Sequence, residues 1–353
     1  MGDEIRVSYQ YSYPSEISAH AVGSAGATKE FSIMSRHSKR LPFSCSRRVF
    51  LQTSLGTSAA LLARGTGAAE PPSSGLSFVH DPPQFAFDTG ALRGALRQDG
   101  LSRGLMPLTD GATGKQIARA YGVFSHYRLL DAETRYGDGA WSWPSQARLR
   151  DDGAVVIDWT FEEACPFTMQ AVYEWADPLT LDLRTTVTAR RQVQRLEVFL
   201  ASYLDGFPVS FVYVQGTPLT GGRPGFLEAT RQRGVWQMSP RDEAAVRVIQ
   251  DGRWQRLPHP VEWQILPHFA APLVMRRDPE SGLAVLVMAR AEDCFAVSTP
   301  YGEESHRSLY LSLLGCDLDV GQTRTAHARL AIRRDLSERQ AIECYETFQA
   351  GSL

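Results

Sequence analysis

The sequence lacks an excess of charge of either sign, because 37 lysines and arginines nearly balance 39 aspartates and glutamates. Such a balance gives no electrostatic footprint for nucleic-acid binding, so that class of function is not indicated. The five cysteines form no C-x-x-C pair, which excludes zinc-ribbon spacing. The sequence also contains no P-loop, no dinucleotide-binding glycine set and no H-E-x-x-H motif, so nucleotide-dependent and zinc-protease chemistry is not indicated.

The sequence also lacks an apolar run of the roughly 20 residues that a membrane-spanning helix needs. The run after Arg47-Arg48, VFLQTSLGTSAALLA, has about 15 residues and is followed by small residues around Ala68-Ala69. A basic flank, a short apolar stretch and a small-residue tail are typical of a secretion signal. The segment SRRVFL at 46–51 resembles the twin-arginine export signal of bacteria, which is an address and not an anchor.

We therefore expect residues 1–69 to be a disordered leader followed by a twin-arginine signal peptide, with Met34 as an alternative start. Residues 70–75 would form a linker. We expect the twin-arginine machinery to export the precursor, and the mature protein to reach the periplasm or the extracellular space without a stable membrane anchor. Residues 76–353 are long enough for a single domain.

Most of the sequence after Gly75 alternates apolar and polar residues with a period of two. In AVVIDWTF, for example, Val155, Ile157 and Trp159 fall on one face of an extended segment. Turns rich in Asp, Gly and Pro separate the alternating segments, which predicts an all-β antiparallel sandwich or barrel. Ser337 and Gln340 have capping-box spacing, which predicts a helix over 337–348. The irregular segment 218–260 is expected to be a long excursion or lid.

Four segments in order carry a family likeness that covers roughly residues 100–335. They read FSHYRLL, RYGDGAWSWPSQARLRDDGAVVIDW, PFTMQAVYEWADPLTLDLRTTVTAR and LEVFLASYL. This order resembles the aldose-epimerase (galactose mutarotase-like) superfamily. The resemblance implies an antiparallel β-supersandwich and a carbohydrate ligand in a concave groove on one sheet. The N-H-x-Y-x-N-L stretch of true aldose epimerases is absent, since SHRSLYLSLLG holds His306 and Tyr310 without the asparagines, so simple mutarotase activity is not implied.

Aromatic rings and charged groups are the side chains that recognise sugars, by stacking and by bonding hydroxyls. In RYGDGAWSWPS, Trp141 and Trp143 are two apart and would lie on one side of an extended segment. Both could instead belong to the core. The predicted substrate-binding residues are Arg128, Arg135, Trp141, Trp143 and Tyr203.

Histidine, glutamate and tyrosine are the candidates for acid–base chemistry, because imidazole titrates near neutral pH. By alternation, His126 would share a strand face with Phe124, Arg128 and Leu130. The predicted catalytic residues are His126, His268, His306, Glu304 and Tyr127.

Three mechanisms stay open at this point. In an epimerase-like reaction a histidine would protonate the ring oxygen, and Glu304 would take the anomeric proton. In a lyase, Tyr127 or a histidine would abstract the C5 proton, while Arg128 or Arg135 neutralises the uronate. In a glycosidase, two facing carboxylates would act. The glycosidase candidates are Glu162, Glu163, Glu174, Asp205 and Glu304.

We predict no cofactor, although the sequence leaves room for a single divalent metal held by His126, His268, His306 and Glu304. The expected partner is a carbohydrate. Two alternatives to an enzyme stay open: a non-catalytic carbohydrate-binding protein, and an envelope-associated β-sandwich whose tryptophans are only core. The spacing of Cys165, Cys294, Cys316 and Cys344 does not decide whether they pair or are buried singly.

Overall fold

The structure, a computed structural model, describes residues 76–98, 102–159 and 165–351. The predicted leader, twin-arginine signal and linker lie outside the described residues, as do Glu162 and Glu163. The four cysteines that follow residue 75 lie among the described residues, and none of these thiols is in a disulfide. None of the described helices is long and apolar enough to cross a membrane.

The described part of the chain is built almost entirely from β-strands, with two α-helices. In chain order they are β1 (Val79–Asp81), β2 (Gln84–Asp88), β3 (Leu92–Gln98), β4 (Ser102–Asp110), β5 (Ser125–Leu130), β6 (Gln146–Leu149), β7 (Val155–Trp159), β8 (Phe167–Asp177), β9 (Thr180–Ala189), β10 (Val193–Tyr203), β11 (Val209–Val214), β12 (Gly225–Glu228), β13 (Trp236–Pro240), α1 (Glu243–Ile249), β14 (Gln264–Ile265), β15 (Phe269–Arg277), β16 (Leu283–Ala289), β17 (Cys294–Pro300), β18 (Ser308–Leu318), β19 (Thr323–Arg334) and α2 (Glu338–Ala350).

The strands form three sheets. The smallest has the order β1-β2-β3-β4, the next has the order β14-β13-β17-β18-β10-β5, and the largest has the order β12-β11-β15-β16-β19-β9-β8-β7-β6. Every pairing between these strands is antiparallel except that of β13 with β14. The prediction of an all-β antiparallel fold with a short C-terminal helix is therefore confirmed.

The main core lies between the six-stranded and the nine-stranded sheets. Alternation places Leu181 and Leu183 of β9 in this core while Asp182 between them faces outward, where it pairs with Arg329. From the other sheet, Val198 and Leu200 of β10 enter the same core. Each fully buried leucine or valine contributes roughly 1.5–3 kcal/mol, so the matching of two alternating faces holds the sheets together.

Helix α2 covers the outer face of the nine-stranded sheet. Its buried side chains Ala341, Tyr345 and Phe348 pack on a cluster that includes Leu286 of β16. The Ser337 hydroxyl accepts a hydrogen bond from the Gln340 amide, and the Gln340 side chain accepts one from the Ser337 amide. The predicted capping box is therefore present.

The segment 218–260 is more regular than the sequence indicated. It contains β12, which extends the nine-stranded sheet, and β13, which lies inside the six-stranded sheet between β14 and β17. Its later part, together with residues to 263, lies over the outer face of the six-stranded sheet, where Ala245, Ile249 and Trp254 are buried. Residues 243–263 are called the cover below.

Candidate functional site

The outer face of the six-stranded sheet carries a continuous group of aromatic rings. Alternation along β10 and β18 sends Leu200 and Leu311 into the main core and sends Phe199, Tyr203 and Tyr310 to this opposite face. We call the group the aromatic face, and its members are Tyr121, Tyr127, Trp141, Phe199, Tyr203, Trp236, Trp254, Trp263, His306 and Tyr310.

The centre of the aromatic face is filled by rings from the cover. The Phe199 ring stacks on Tyr310 at 4.7 Å and meets the edge of Trp254 at 4.7 Å. Trp254 in turn meets Trp263 at 5.2 Å with the two ring planes perpendicular. Phe199, Trp254 and Tyr310 are buried, so this centre is packed and a ligand can only contact the margins.

A buried ion pair fixes the cover to the sheet. Arg253 and Glu197 of β10 are both fully buried, and Arg253 Nη1 lies 3.2 Å from the Glu197 carboxylate. Arg253 also pairs with Asp251 at 2.9 Å. Burial raises the pKa of Glu197, and the Arg253 charge opposes that shift. Removing Arg253 would leave the buried Glu197 carboxylate without a charge partner, whereas removing Glu197 would leave Arg253 paired with Asp251 alone, so these charges hold the cover in one position.

One margin of the aromatic face is a stack of three rings, which we call the stacked rim. Trp141 lies parallel to Tyr127, with 4.1 Å between ring centroids and 6° between planes. Trp141 also stacks with Tyr121 at 5.1 Å and 23°. Tyr121 is 39% exposed and is the most accessible of the three.

Trp141 and Trp143 do not lie on one side of an extended segment, contrary to the sequence prediction. Residues Ala140–Ser142 form a turn of 3-10 helix, which rotates successive side chains by about 120° instead of 180°. As a result, Trp141 joins the aromatic face, whereas Trp143 packs against the main core.

His126 does not share a face with Arg128, because a β-bulge interrupts the alternation. Phe199 pairs with Arg128 and the next residue, Leu200, pairs with His126, so Tyr127 has no partner on β10. Tyr127 and Arg128 therefore both contact the aromatic face.

The ring of His126 points into the main core instead. Its Nε2 atom lies 2.9 Å from Thr185 Oγ1, and its ring lies 5.0 Å from Trp159. Burial lowers the pKa of His126 to about 3, so this ring is neutral at ordinary pH and is separated by the sheet from the aromatic face.

The opposite margin carries a carboxylate bound to an imidazole, and we call Trp236, Glu304 and His306 the histidine rim. Glu304 lies 2.9 Å from His306 Nδ1 and accepts a hydrogen bond of 2.7 Å from the His306 amide. The Trp236 ring lies 5.1 Å from the imidazole. Burial by itself raises the pKa of Glu304, but the hydrogen bonds and charge of His306 outweigh it, so the net pKa is lowered. Glu304 is therefore an ionised carboxylate that orients the imidazole.

Tyr203 lies between the two rims. Its ring is 5.4 Å from Tyr121 on one side and 6.4 Å from His306 on the other. Tyr310 is its neighbour at 6.0 Å, and Ser308 donates a hydrogen bond of 2.6 Å to the Tyr310 hydroxyl. Burial raises the pKa of both tyrosines, and their side chains are hydrogen-bonded to each other, so both hydroxyls stay protonated.

Two arginines lie beside the stacked rim. The guanidinium of Arg128 is 4.9 Å from the Tyr127 ring and 5.0 Å from the Trp254 ring, a cation–π arrangement with both. Arg135 donates hydrogen bonds to the backbone carbonyls of Gly137, Asp138 and Arg256. Arg135 therefore ties the loop after β5 to the cover.

His268 and two of the glycosidase candidates lie elsewhere. The His268 ring faces the Glu243 carboxylate at 3.4 Å, just before β15. Glu174 is exposed on β8 of the nine-stranded sheet, and Asp205 is exposed after β10. The residues that the structure describes contain no group of three or more His, Cys, Asp or Glu side chains placed to hold a metal.

The sequence analysis did not select Tyr121, Trp236, Trp254 or Trp263, although all four line the aromatic face. A usable signal was present, because three tryptophans fall in or next to the irregular segment 218–260.

No family model and no curated protein matches this chain. Among solved structures it is similar to a galactose mutarotase-like protein from Lactobacillus casei ATCC 334, with 10% identity, 71% of this chain and 100% of that chain covered, and a TM-score of 0.43. It is similar to an alpha-N-acetylgalactosaminidase from Bifidobacterium bifidum (10% identity, 74% and 38% covered, TM-score 0.45). It is also similar to a glycosyl hydrolase family 38 protein from Enterococcus faecalis (9% identity, 77% and 33% covered, TM-score 0.49). These likenesses concern the fold alone.

Proposed function

We propose that this protein binds a carbohydrate on the aromatic face, between the stacked rim and the histidine rim. The observation that carries the proposal is the position of Tyr203, whose ring contacts Tyr121 on one rim and His306 on the other. One short stretch of surface thus combines partly exposed rings, a protonated hydroxyl and a hydrogen-bonded carboxylate–imidazole pair. Apolar walls with a few fixed polar groups are the usual make-up of a small-molecule site.

The same groups support acid–base chemistry on the bound sugar. Glu304 holds the His306 imidazole through Nδ1, an arrangement that fixes the ring orientation, and imidazole is a common group for acid–base catalysis. The Tyr203 hydroxyl, which stays protonated, places a polar group beside His306. An epimerase-like or lyase-like proton transfer by His306 fits this arrangement better than a two-carboxylate glycosidase mechanism, because Glu174 is on the other sheet.

A second candidate is carbohydrate binding without turnover. It is favoured by the packed centre of the aromatic face, where Trp254 and Phe199 are buried and leave only the margins to a ligand. Both candidates use the same rims, so they differ only in whether His306 transfers a proton.

The test is a binding screen of the purified mature protein against neutral and acidic oligosaccharides, followed by isothermal titration calorimetry. We expect Trp236→Ala and Tyr203→Phe to weaken the affinity for the saccharide that binds by at least about tenfold, or about 1.4 kcal/mol. Tyr213→Phe, which changes a tyrosine on the nine-stranded sheet, is the matched control and should bind as the wild type does.

The two candidates are separated by turnover. If the wild-type protein converts the saccharide, we expect His306→Ala to abolish conversion while it retains binding within about tenfold. A protein that binds but converts no saccharide in the panel would support the binding-only candidate. A protein that binds none of them would contradict the proposed function.

We also propose that the twin-arginine machinery exports the protein, on the strength of the segment SRRVFL alone. We expect the double variant Arg47→Lys, Arg48→Lys to accumulate as precursor in the cytoplasm, whereas the wild-type protein appears in the periplasm or the medium. Cell fractionation with detection of a C-terminal tag measures this. Equal export of both forms would contradict the assignment.

A further inference from the structure

Arg128 differs from the other deeply buried arginines because it has no carboxylate or carbonyl partner among the described residues. Arg253 is paired with Glu197 and Asp251, and Arg276 donates to several backbone carbonyls, including those of Phe207 and Gly302. Arg128 is only 4% exposed. Its one hydrogen bond is a long contact of 3.4 Å from Nη2 to the Tyr127 hydroxyl, and its Nε atom has no partner in the described part of the chain.

Burying a guanidinium without a charged or carbonyl partner is energetically unfavourable. Removing a charge from water without pairing it costs several kcal/mol, and a cation–π contact returns only about 2 kcal/mol when desolvated. The Tyr127 and Trp254 rings therefore stabilise the cation only in part, and apart from the long Nη2 contact its donors have no acceptor among the described residues. A guanidinium fork is suited to a carboxylate, which it can bind through two parallel hydrogen bonds.

A second cation lies next to it. The Arg135 guanidinium donates hydrogen bonds to three backbone carbonyls and also bonds the Tyr127 side chain, and among the described residues it makes no hydrogen bond to a carboxylate. Burial and then the nearby charge of Arg128 lower the pKa of Arg135. The pair creates a local positive potential at the margin that carries the stacked rim, on the face of the sheet that also holds Tyr203.

We propose that Arg128, with Arg135 beside it, binds the carboxylate of a uronic-acid residue, so that the carbohydrate recognised by the aromatic face is a uronate-containing glycan. This assignment rests on the proposed function and names its substrate class. The Tyr127 ring, which is half-buried, lies over the guanidinium and must move aside for the carboxylate to reach it. The uncharged part of the sugar then lies along the rims, where rings and the Tyr203 hydroxyl contact it.

The test uses pairs of oligosaccharides that differ only in the carboxylate. Oligogalacturonate and oligomannuronate tetramers are compared with their carboxyl-reduced forms by calorimetry, and a sulfated carrageenan tetramer, which carries no carboxylate, serves as a second anionic probe. We expect a uronate tetramer to bind at least about tenfold more tightly than its reduced form.

Variants assign that preference to Arg128. We expect Arg128→Gln to lose roughly tenfold to a hundredfold in affinity for the uronate and to bind the reduced form as the wild type does. Arg128→Lys keeps the positive charge but loses the planar guanidinium, so its affinity for the uronate should lie between those of the wild type and Arg128→Gln. Arg148→Gln removes an exposed arginine of β6 that pairs with Asp158 and is the control for net charge. Circular dichroism tests whether each variant is folded. If Arg128→Gln does not fold, the uronate affinity of Arg128→Lys alone decides whether Arg128 carries the preference.

Three outcomes would overturn the assignment. Equal binding of the uronate and its reduced form, unchanged in the Arg128 variants, would refute the uronate assignment and leave carbohydrate binding intact. Preference for the sulfated tetramer over both uronates would refute the carboxylate as the ligand. Failure of every saccharide to bind would refute the proposed function itself and the assignment with it.

Discussion

Replacing His126 tests whether this residue is a buried, neutral histidine that makes the folded protein less stable as the pH falls. Its ring is 1% exposed, lies 2.9 Å from Thr185 Oγ1 and 5.0 Å from the Trp159 ring, and burial lowers its pKa to about 3. In the unfolded chain a histidine takes up its proton near pH 6.5. Between these two values the unfolded state binds more protons than the folded state, so the free energy of unfolding falls as the pH falls.

The size of the effect follows from the two pKa values. Each pH unit between them is worth about 1.4 kcal/mol, so the protein loses about 3 kcal/mol from this residue between pH 7.5 and 4.5, and about 5 kcal/mol in all by pH 3. We expect His126→Asn, which keeps a hydrogen-bonding group for Thr185, to lower stability at pH 7.5. Its stability should then decline less than that of the wild type as the pH falls.

The measurement is urea unfolding followed by tryptophan fluorescence at half-unit steps from pH 7.5 to 4.5. The quantity of interest is the wild-type free energy of unfolding minus that of His126→Asn, which we expect to shrink by about 3 kcal/mol over this range. His259→Gln, which removes an exposed ring, is the control for the loss of a histidine. A difference that stays constant with pH would refute the placement of a neutral His126 in the core.

Two further predictions concern the scaffold of the site. Arg253→Met leaves the fully buried Glu197 carboxylate without a charge partner and should lower the free energy of unfolding by about 3–5 kcal/mol. Combining it with Glu197→Leu should recover most of that loss. Urea unfolding measures both, and an Arg253→Met variant as stable as the wild type would contradict the role of the pair. Gly122→Ala would place a Cβ atom 2.0 Å from the Arg103 carbonyl oxygen at a φ of +73°, beside Tyr121, while Gly114→Ala has nearly the same φ of +74° and nothing within 4 Å. Gly114→Ala is therefore the control and should lower the free energy of unfolding by about 1–2 kcal/mol from backbone strain alone, whereas Gly122→Ala should lower it clearly more. Thermal unfolding measures both variants. Equal losses of stability would contradict the steric contact with Arg103.

Local sequence pattern was sufficient for several elements of the fold outside residues 218–260. Alternation in AVVIDWTF and TLDLRTTVTA predicted β7 and β9, since a strand with one buried face must repeat every two residues. Ser337 and Gln340 predicted where α2 begins, because a helix needs partners for its first amide groups. These features depend on residues within a few positions of one another.

The same local reasoning assigned side chains to the wrong face wherever the backbone departed from regular strand geometry. The bulge at Tyr127 turned His126 into the core and left Arg128 on the aromatic face. The 3-10 turn at Ala140–Ser142 separated Trp141 from Trp143. Neither departure can be read from a hydrophobic pattern, because each is imposed by the strands and rings packed around it.

The sequence by itself determined an antiparallel β domain with a capped C-terminal helix, and it marked His306, Glu304, Tyr203 and Trp141 as residues of interest. Only the tertiary structure decided that Tyr203 lies between Tyr121 and His306. It also decided that Trp254, far along the chain, covers Arg128. The physical reason is that periodicity and caps are short-range properties of the chain, whereas the face on which a side chain lies, and its neighbours there, depend on pairing between strands more than a hundred residues apart.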